Sequence, residues 1–332
     1  MAKQNTAPTM KDVAKEAGVS LGTVSKVING IPVGDEYRKK VEQAIKTLDY
    51  HINAYAKGLK NNRTYTVAVI LPNLLNPFFS MVAHYINRAL VNRGYRMLLC
   101  DTEYDYTKEQ EMVQMVAQNK VDGIIALTYN PDLKIPPDVR SVSIDRYLSG
   151  STTCVASDNY NGGRLAAQKL VENGCKNLAF LRIGSPLTSE TNKRRDGFVA
   201  ECEAMQLPCT QKILMDDAPL SEFEHFLEEN LKDGRLAFDG IFCVTDKLAV
   251  AVIKMLRRMG QRVPEDVQVI GYDGLRAFGD QDYYCSTIIQ PVEAMAPEHV
   301  HHALLEVYRR RKNQKGRPTE DLLPKLRNRI IA

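Results

Sequence analysis

MKDVAKEAGVSLGTVSKVIN, residues 10–29, contains two short amphipathic helices and the turn between them. Thr9 and Asp12 form the T-x-x-D pattern of a capping box, which places a helix start at residue 10. Val13, Ala14 and Ala17 follow at helical spacing, and Gly18 ends the helix as a residue free to take positive φ. Val19 fills the corner and Ser20 caps a second helix, about residues 21–29. Val24, Val27 and Ile28 are its apolar side. A third stretch, residues 35–48, turns Val41, Ala44, Ile45 and Leu48 inward. Two helices joined by a glycine turn and braced by a third make the helix-turn-helix plan. A small helical bundle packed on the rest of the chain would fit the same pattern.

The second helix leaves Ser20, Leu21, Gly22, Thr23, Ser25, Lys26 and Asn29 for its outer face and rims. Small hydroxyls and one cation suit close approach to a major groove, where Lys26 can donate to guanine O6 and N7. Charge is distributed accordingly. Residues 1–63 hold eleven Lys and Arg against six Asp and Glu, a net of +5, while residues 64–332 carry a net of −1. A basic head on a near-neutral body suits a segment that faces phosphates.

Residues 10–29 resemble the head of the lactose/galactose repressor (LacI/GalR) family in their DVA, AGVS and TVS strings, followed by a basic residue and Asn. The resemblance implies a DNA-facing set of Thr9, Ser20, Leu21, Gly22, Thr23, Ser25, Lys26, Asn29 and Tyr37. Two departures stand out. The base-reading positions after the turn Ser are Leu21 and Gly22, neither of which can hydrogen-bond a base edge. The usual Arg is Lys26, a point charge in place of a bidentate fork. More of the readout is then expected from phosphate contacts and DNA shape. Residues 50–63, YHINAYAKGLKNNR, match the family's hinge, with Asn53, Ala56 and Leu59 carried over. In the family this segment folds on the operator, and its leucine wedges into the minor groove. Ile52 replaces the usual Pro, and Gly58 weakens a helix by about 1 kcal/mol. A flexible polar linker is the alternative.

From residue 65 onward, short apolar runs alternate with helical patterns, and Asp122-Gly123-Ile124 recurs as Asp239-Gly240-Ile241. Such alternation argues for parallel, doubly wound sheets. The family resemblance extends over this body. It rests on Ser157-Asp158-Asn159 with Gly162-Gly163, Arg194 with Gly197-Phe198, Thr245-Asp246, Val263-Pro264 and Val269–Asp273. It implies an all-α helix-turn-helix head on an α/β periplasmic-binding-protein-like body of two doubly wound parallel-sheet lobes. The expected divisions are 1–52 for the DNA-binding domain, 53–63 for the hinge, and 64–332 for effector binding and dimerisation. Lobe 1 is expected at about 64–160 and 291–320, and lobe 2 at about 161–290 and 321–332. Crossings are expected near 159–163, 288–292 and 319–323.

Ligands of such folds bind beyond the carboxyl ends of the strands. The expected effector set is Phe78, Phe79, Asp145, Arg146, Arg194, Thr245, Asp273 and Gln290. Asp273 can accept from sugar hydroxyls, and Arg194 can donate two parallel bonds. A lobe-to-lobe or surface salt bridge is the alternative for that pair, and core packing is the alternative for Phe78 and Phe79. Many relatives place an aromatic near Asp216-Asp217, whereas this chain has none at 215–218 and no Trp anywhere. A small hydroxyl-rich effector, a sugar or sugar derivative, is therefore expected over a purine or other corepressor.

Other classes fit less well. There is no G-x-S-x-G elbow and no P-loop. His299, His301 and His302 cannot all share one helix face, so no metal or other cofactor is expected. The run Arg309–Lys312 reads as an exposed helix end. Seven scattered cysteines without a CxxC pair, a polar N-terminus and no run of about 20 apolar residues suggest a cytoplasmic protein without membrane contact, and the family resemblance implies a bacterial, nucleoid-associated one. A solute-binding protein would need a signal peptide and no DNA head, and a cleft enzyme would need a nucleophile–base pair or a metal set. The expected partners are a pseudo-palindromic double-stranded DNA operator, a small-molecule effector and a second copy of the chain. A dimer is favoured over a tetramer, since no C-terminal heptad tail is visible.

Overall fold

The computed structural model describes residues 8–50, 63–130, 132–148, 152–184, 188–276, 282–309 and 329–331. Asn53, Ala56 and Leu59 of the expected hinge lie outside these residues, as do the crossing expected near 319–323 and the basic run beyond Arg309. The chain divides into two compact units, 1–64 and 65–332.

The first unit contains α1 (Met10–Ala17), α2 (Leu21–Ile28) and α3 (Asp35–Thr47). The Thr9 backbone N–H donates to Asp12 Oδ2 at 2.8 Å, and Asp12 N–H donates to Thr9 Oγ1 at 3.4 Å, closing the capping box. Gly18 takes φ +64° at the end of α1. A residue with a Cβ is strained there, so Gly18 permits the sharp turn into α2. Val13, Val24 and Val41, one from each helix, are completely buried and form the centre of a core with Ala14, Ala17 and Ala44.

The second unit contains two sheets. The first has order β2-β1-β3-β4-β5, all parallel, from β1 (Thr66–Leu71), β2 (Arg96–Asp101), β3 (Gly123–Ala126), β4 (Ser141–Ile144) and β5 (Thr153–Val155). Helices α4 (Pro77–Val91) and α5 (Tyr106–Gln118) connect its early strands. After β5 come α6 (Asn159–Glu172), β6 (Leu178–Ile183), α7 (Lys193–Ala204), β7 (Cys209–Leu214) and α8 (Ser221–Glu229). A small hairpin, β8 (Leu231–Lys232) and β9 (Arg235–Leu236), precedes β10 (Gly240–Cys243), α9 (Asp246–Arg258), β11 (Gln268–Asp273) and β12 (Ser286–Ile289). Helix α10 (Val292–Arg309) and β13 (Arg329–Ile331) complete the chain. The second sheet has order β13-β12-β11-β10-β6-β7, with only β13 antiparallel. Both sheets are covered by helices on the two faces, so the central strands β1, β3, β6 and β10 read as nearly continuous apolar runs.

The repeated Asp-Gly-Ile has the same job in both lobes. Asp122 Oδ2 accepts from Tyr65 N–H at 2.6 Å at the entrance to β1. Asp239 accepts from Lys176 and Asn177 N–H at 2.9 Å ahead of β6. Each carboxylate ties the start of one strand to its neighbour, which fixes the parallel register.

The first crossing falls slightly earlier than the sequence suggests. β5 still pairs in the first sheet, but Asn159 already begins α6, which packs on α7 in the second lobe. Asp158 caps that helix by accepting from Asn161 N–H at 3.2 Å, so the link is residues 156–158 rather than 159–163. The second crossing is 290–291, between β12 and α10, which packs on α4 and β4 of the first lobe. By β13 the chain is again in the second sheet. The β8–β9 hairpin was not evident from the sequence; its two-residue strands are too short to produce a period.

Candidate functional site

Strand ends from both lobes converge on one cavity of about 110 Å³. From the first lobe come Phe78 and Phe79 after β1, Tyr129 after β3, and Asp145 and Arg146 after β4. From the second come Arg182 at the end of β6, Asp216 after β7, Thr245 after β10, Asp273 at the end of β11, and Arg194 in the first turn of α7. Each of these strands contributes its carboxyl end, because the parallel order points those ends at the gap between the lobes. Seven of the eight residues expected from sequence line the cavity.

Gln290 does not. It lies behind Asp273, donating from Nε2 to Asp273 Oδ1 at 2.8 Å and accepting from Ser157 Oγ at 3.1 Å. It positions the carboxylate and is not one of the lining residues, since its place on the 290–291 crossing sets it under the cleft floor.

Arg194 is 3% exposed. Its Nε donates to Asn159 Oδ1 at 2.8 Å, one terminal nitrogen donates to the Val244 carbonyl at 2.7 Å, and the same nitrogen lies 3.5 Å from Asp273 Oδ1. The guanidinium stacks 3.7 Å over the Tyr272 ring. The pair is therefore a buried salt bridge and a cavity wall at the same time. Asn159 reaches across, its Nδ2 donating to Asp145 Oδ1 at 3.3 Å. Burial pushes the carboxyls of Asp145 and Asp273 above the usual range, with Arg194 opposing in both cases.

Asp273 has φ +130°, which a residue with a Cβ seldom adopts and which costs about 1–3 kcal/mol. The clamp that holds it is Asp246, in the first turn of α9. Its Oδ2 accepts from the N–H groups of Gly274 at 2.9 Å and Leu275 at 2.7 Å, and its Oδ1 accepts from Thr287 Oγ1 at 2.5 Å. Burial raises the Asp246 carboxyl, and these donors oppose the shift. Thr245, the adjacent cavity residue, caps α9 by accepting from Leu248 N–H at 3.3 Å.

Phe78 and Phe79 pack edge to face, 5.9 Å between centroids. They belong to the first lobe's core, the alternative raised by the sequence, and also line the cavity. Asn76 caps α4 by accepting from Phe78 N–H at 3.1 Å, which fixes the turn that presents both rings.

A strap closes one rim. Arg146 and Ser189 form an antiparallel bridge, Glu190 N–H donates to the Asp145 carbonyl at 3.2 Å, and Arg146 donates to Thr191 Oγ1 at 3.1 Å. The Tyr147 hydroxyl donates to Glu190, which also accepts from Lys193 Nζ at 2.6 Å.

Sequence reasoning missed Tyr129, Arg182 and Asp216 as lining residues, and it singled out Asp246, Asn159 and Ser157 as matching motifs without their supporting role. Arg182 had a signal: a cation inside the apolar strand LAFLRI. Asp216 was noticed only for the missing aromatic beside it. The aromatic surface comes instead from the opposite lobe, where Tyr129 lines the cavity and packs 5.9 Å from Tyr104.

In the first unit, Ser20, Leu21, Gly22, Lys26, Asn29, Thr9 and Tyr37 are exposed, and Thr23 and Ser25 half-exposed. Leu21 and Tyr37 are 43% and 52% exposed despite their apolar surface. Several polar groups already serve the helices: Ser20 Oγ accepts from Thr23 N–H at 3.1 Å, and Asn29 Nδ2 donates to the Ser25 carbonyl at 2.7 Å.

Comparison with known proteins agrees with both units. Residues 9–53 match the model of bacterial regulatory proteins, lacI family, and residues 167–329 match a periplasmic binding protein-like domain. The sucrose operon repressor of Pediococcus pentosaceus is 35% identical over 292 residues, 86% of this chain and 88% of the relative. A solved lac repressor dimer bound to operator and an anti-inducer superposes with a TM-score of 0.76 at 22% identity, covering 92% of this chain and 94% of that one. A solved regulator–cellobiose complex, 26% identical, has a TM-score of 0.66 and covers 98% of both chains. A braced helix-turn-helix head, a two-lobed body with a cavity at the strand ends, and a match to an operon repressor over 86% of the chain place this chain in the lacI family of bacterial regulatory proteins.

Proposed function

We propose that this regulator is a repressor of a sugar-utilisation operon, released from or held on its operator by a sugar or sugar derivative bound between the lobes. The observation that carries this reading is the convergence of Phe78, Phe79, Asp145, Arg194 and Asp273 on one cavity at the strand ends. Apolar rings beside carboxylates and a guanidinium suit a molecule with an apolar ring face and a rim of hydroxyls. The sucrose operon repressor and the cellobiose-bound regulator support the class of ligand.

A cavity of about 110 Å³ is smaller than the roughly 150 Å³ that holds a benzene-sized ring. We expect a hexose to part or rotate the lobes as it enters, working against the strap at residues 145–147 and 189–193. Ligand binding and lobe geometry are thus linked, and a ligand that favours one lobe arrangement shifts operator affinity by its differential affinity for the two. In this reading the cleft binds its ligand without transforming it, and the protein acts in the bacterial cytoplasm and nucleoid, as its likeness to operon repressors supports.

On DNA, we assign the outer face of α2 to the major groove, with Thr9, Ser20, Leu21, Gly22, Thr23, Ser25, Lys26, Asn29 and Tyr37 as the contacting set. Asn53, Ala56 and Leu59 would form the minor-groove hinge. Two copies would read a pseudo-palindromic operator. Support for the dimer comes from the edge strand β2, where Leu99 is 36% exposed, and from Val91, 60% exposed at the end of α4. Gel shift of a candidate operator across a panel of sugars tests the whole reading. A sugar should change operator affinity at least about tenfold, within the usual range of coupling energies. No response to any sugar, with operator binding intact, would reject the effector assignment. A Leu59→Ala variant that bends its operator as wild type does would reject the hinge assignment.

A further inference from the structure

The wall of the cavity continues outward into an apolar shelf on the first lobe. Leu75 follows β1 and is 90% exposed, more than any other large apolar side chain among the described residues. Tyr104 and Tyr106 follow β2, the neighbouring edge strand, and are 49% and 48% exposed. Tyr129 joins shelf to cavity: it lines the cavity, packs 5.9 Å from the Tyr104 ring, and its carbonyl accepts from the Tyr106 hydroxyl at 3.0 Å.

The backbone that presents this surface is strained. Glu103 and Tyr104 take φ +53° and +61° in succession. Bulky residues seldom adopt this region, and such strain persists only where surrounding bonds over-determine it. Here the Tyr104 N–H donates to the Pro72 carbonyl at 3.0 Å, and Asp101 accepts from the N–H groups of Glu103 and Leu74, both at 3.2 Å. The loops after β1 and β2 are thereby tied to each other, with Leu75 and Tyr104 turned out to solvent.

Across from the shelf stands a carboxylate. Asp216 follows β7 in the second lobe, is exposed, and lines the cavity. Burial raises the Tyr104 hydroxyl to about 12 and the Tyr106 hydroxyl above its usual value, and the charge of Asp216 adds to both shifts. The carboxylate is therefore within electrostatic reach of both rings, and Arg146 and Arg182 help to keep it ionised against burial.

Open aromatic faces beside a carboxylate suit a sugar ring, whose C–H face lies on the aromatic surface while its hydroxyls donate to the carboxylate. Inside the cavity that pairing is made by Phe78 and Phe79 with Asp145 and Asp273. The shelf makes it a second time outside, and a cavity of about 110 Å³ does not hold two rings.

We propose that the effector is a disaccharide, with one ring in the cavity and the second laid on Tyr104 and Tyr106, its hydroxyls toward Asp216. This deepens the effector reading above and rests on it.

Calorimetry on the full-length protein tests it with glucose, fructose, methyl α- and β-glucoside, sucrose, maltose and cellobiose. One disaccharide should bind at least about tenfold tighter than each single-ring sugar, as one added hydrogen bond to a charged group allows. The methyl glucosides carry the glycosidic oxygen without a second ring and should bind as the free monosaccharides do. Tyr104→Ala should reduce the disaccharide preference below about threefold, a ratio in which losses common to both ligands cancel, and Tyr104→Phe should keep it. A methyl glucoside or monosaccharide that binds as tightly as the best disaccharide overturns the proposal without any variant, as does a folded Tyr104→Ala protein that retains the full preference. If single-ring sugars alone bind and alter operator affinity, the shelf assignment falls and the effector cleft stands. If no sugar of either kind binds, both fall.

Discussion

Gly163 on α6 and Gly197 on α7 lie where the two helices cross at backbone contact. A Cβ on Gly197 would lie 1.9 Å from the Tyr160 carbonyl oxygen, and one on Gly163 would lie 2.0 Å from the Arg194 carbonyl oxygen. Carbon and carbonyl oxygen tolerate each other at about 3.3 Å, so either methyl forces the helices apart by more than about 1 Å. Backbone atoms cannot rotate out of the way as side chains can. Overpacking of this kind costs about 1–3 kcal/mol, and the gap opened along the rest of the crossing forfeits further dispersion. We expect about 3 kcal/mol for Gly197→Ala, a fall in melting temperature of about 6–12 °C for a unit of this size. Arg194 stands one turn from Gly197, and its bonds to Asn159 and Val244 are 2.8 and 2.7 Å. A shift above 1 Å weakens at least one charged hydrogen bond, worth about 1.5 kcal/mol, so effector affinity should fall about tenfold. One displacement admits both methyls, so Gly163→Ala with Gly197→Ala should cost little more than either alone. Differential scanning calorimetry with ligand titration measures all three. Singles that melt within about 1 °C of wild type, or a strictly additive double, would refute the reasoning.

Further expectations concern other parts of the chain. His299 on α10 is buried, and burial pushes its pKa down to about 4 against the opposing backbone groups of Met295 and Val155. The unfolded chain takes up this proton near pH 6.5 and the folded one does not, so the contribution to stability is complete above pH 6.5 and is lost as pH falls toward 4. At pH 5 the loss is about 2 kcal/mol; urea titrations at pH 7 and pH 5 should show it in wild type but not in His299→Leu, and equal losses in both would disprove the assignment. Asp246→Ala removes the carboxylate that accepts from Gly274 and Leu275 N–H and from the Thr287 hydroxyl, leaving Gly274 and Thr287 only longer bonds of 3.2 and 3.4 Å, which should cost about 3–5 kcal/mol and release Asp273 from φ +130°. Urea denaturation with loss of ligand binding checks it, and an unchanged midpoint contradicts it. Lys26→Met should weaken operator binding by about 1–3 kcal/mol if the ammonium reads guanine, with sequence preference relaxed at one position; a uniform loss with a shallower salt dependence would make it a phosphate contact instead.

The head was legible because its signals are local. Thr9 with Asp12, Gly18 and the spacing of Val13, Val24 and Val41 each act within a few residues, and the core built from them is the one expected. The repeat of Asp-Gly-Ile was legible for a related reason, since each copy does the same backbone task at a strand start. The cleft was legible through strand ends, which parallel topology converts directly into position. Gln290 was misplaced because a residue at a crossing can face the cavity or its floor, and the sequence does not record which. Tyr129 and Arg182 escaped because their use depends on the partner lobe: Tyr129 supplies from the first lobe the aromatic surface that was sought near Asp216 in the second. Gly162-Gly163 and Gly197 were noticed as matching motifs, but their role in close helix crossing needs the distance between α6 and α7.

Linkage between the cleft and the operator is the most direct test of the central claim. The dissociation constant of the tightest-binding sugar should be measured by calorimetry on the free protein and on the operator-bound protein, alongside operator affinity with and without that ligand. Coupling through one two-state body requires the two ratios to be equal, at about 5- to 150-fold, and Arg194→Met should abolish the ligand's effect while leaving ligand-free operator binding intact. A ligand that occupies the cleft and leaves operator affinity unchanged would contradict the account.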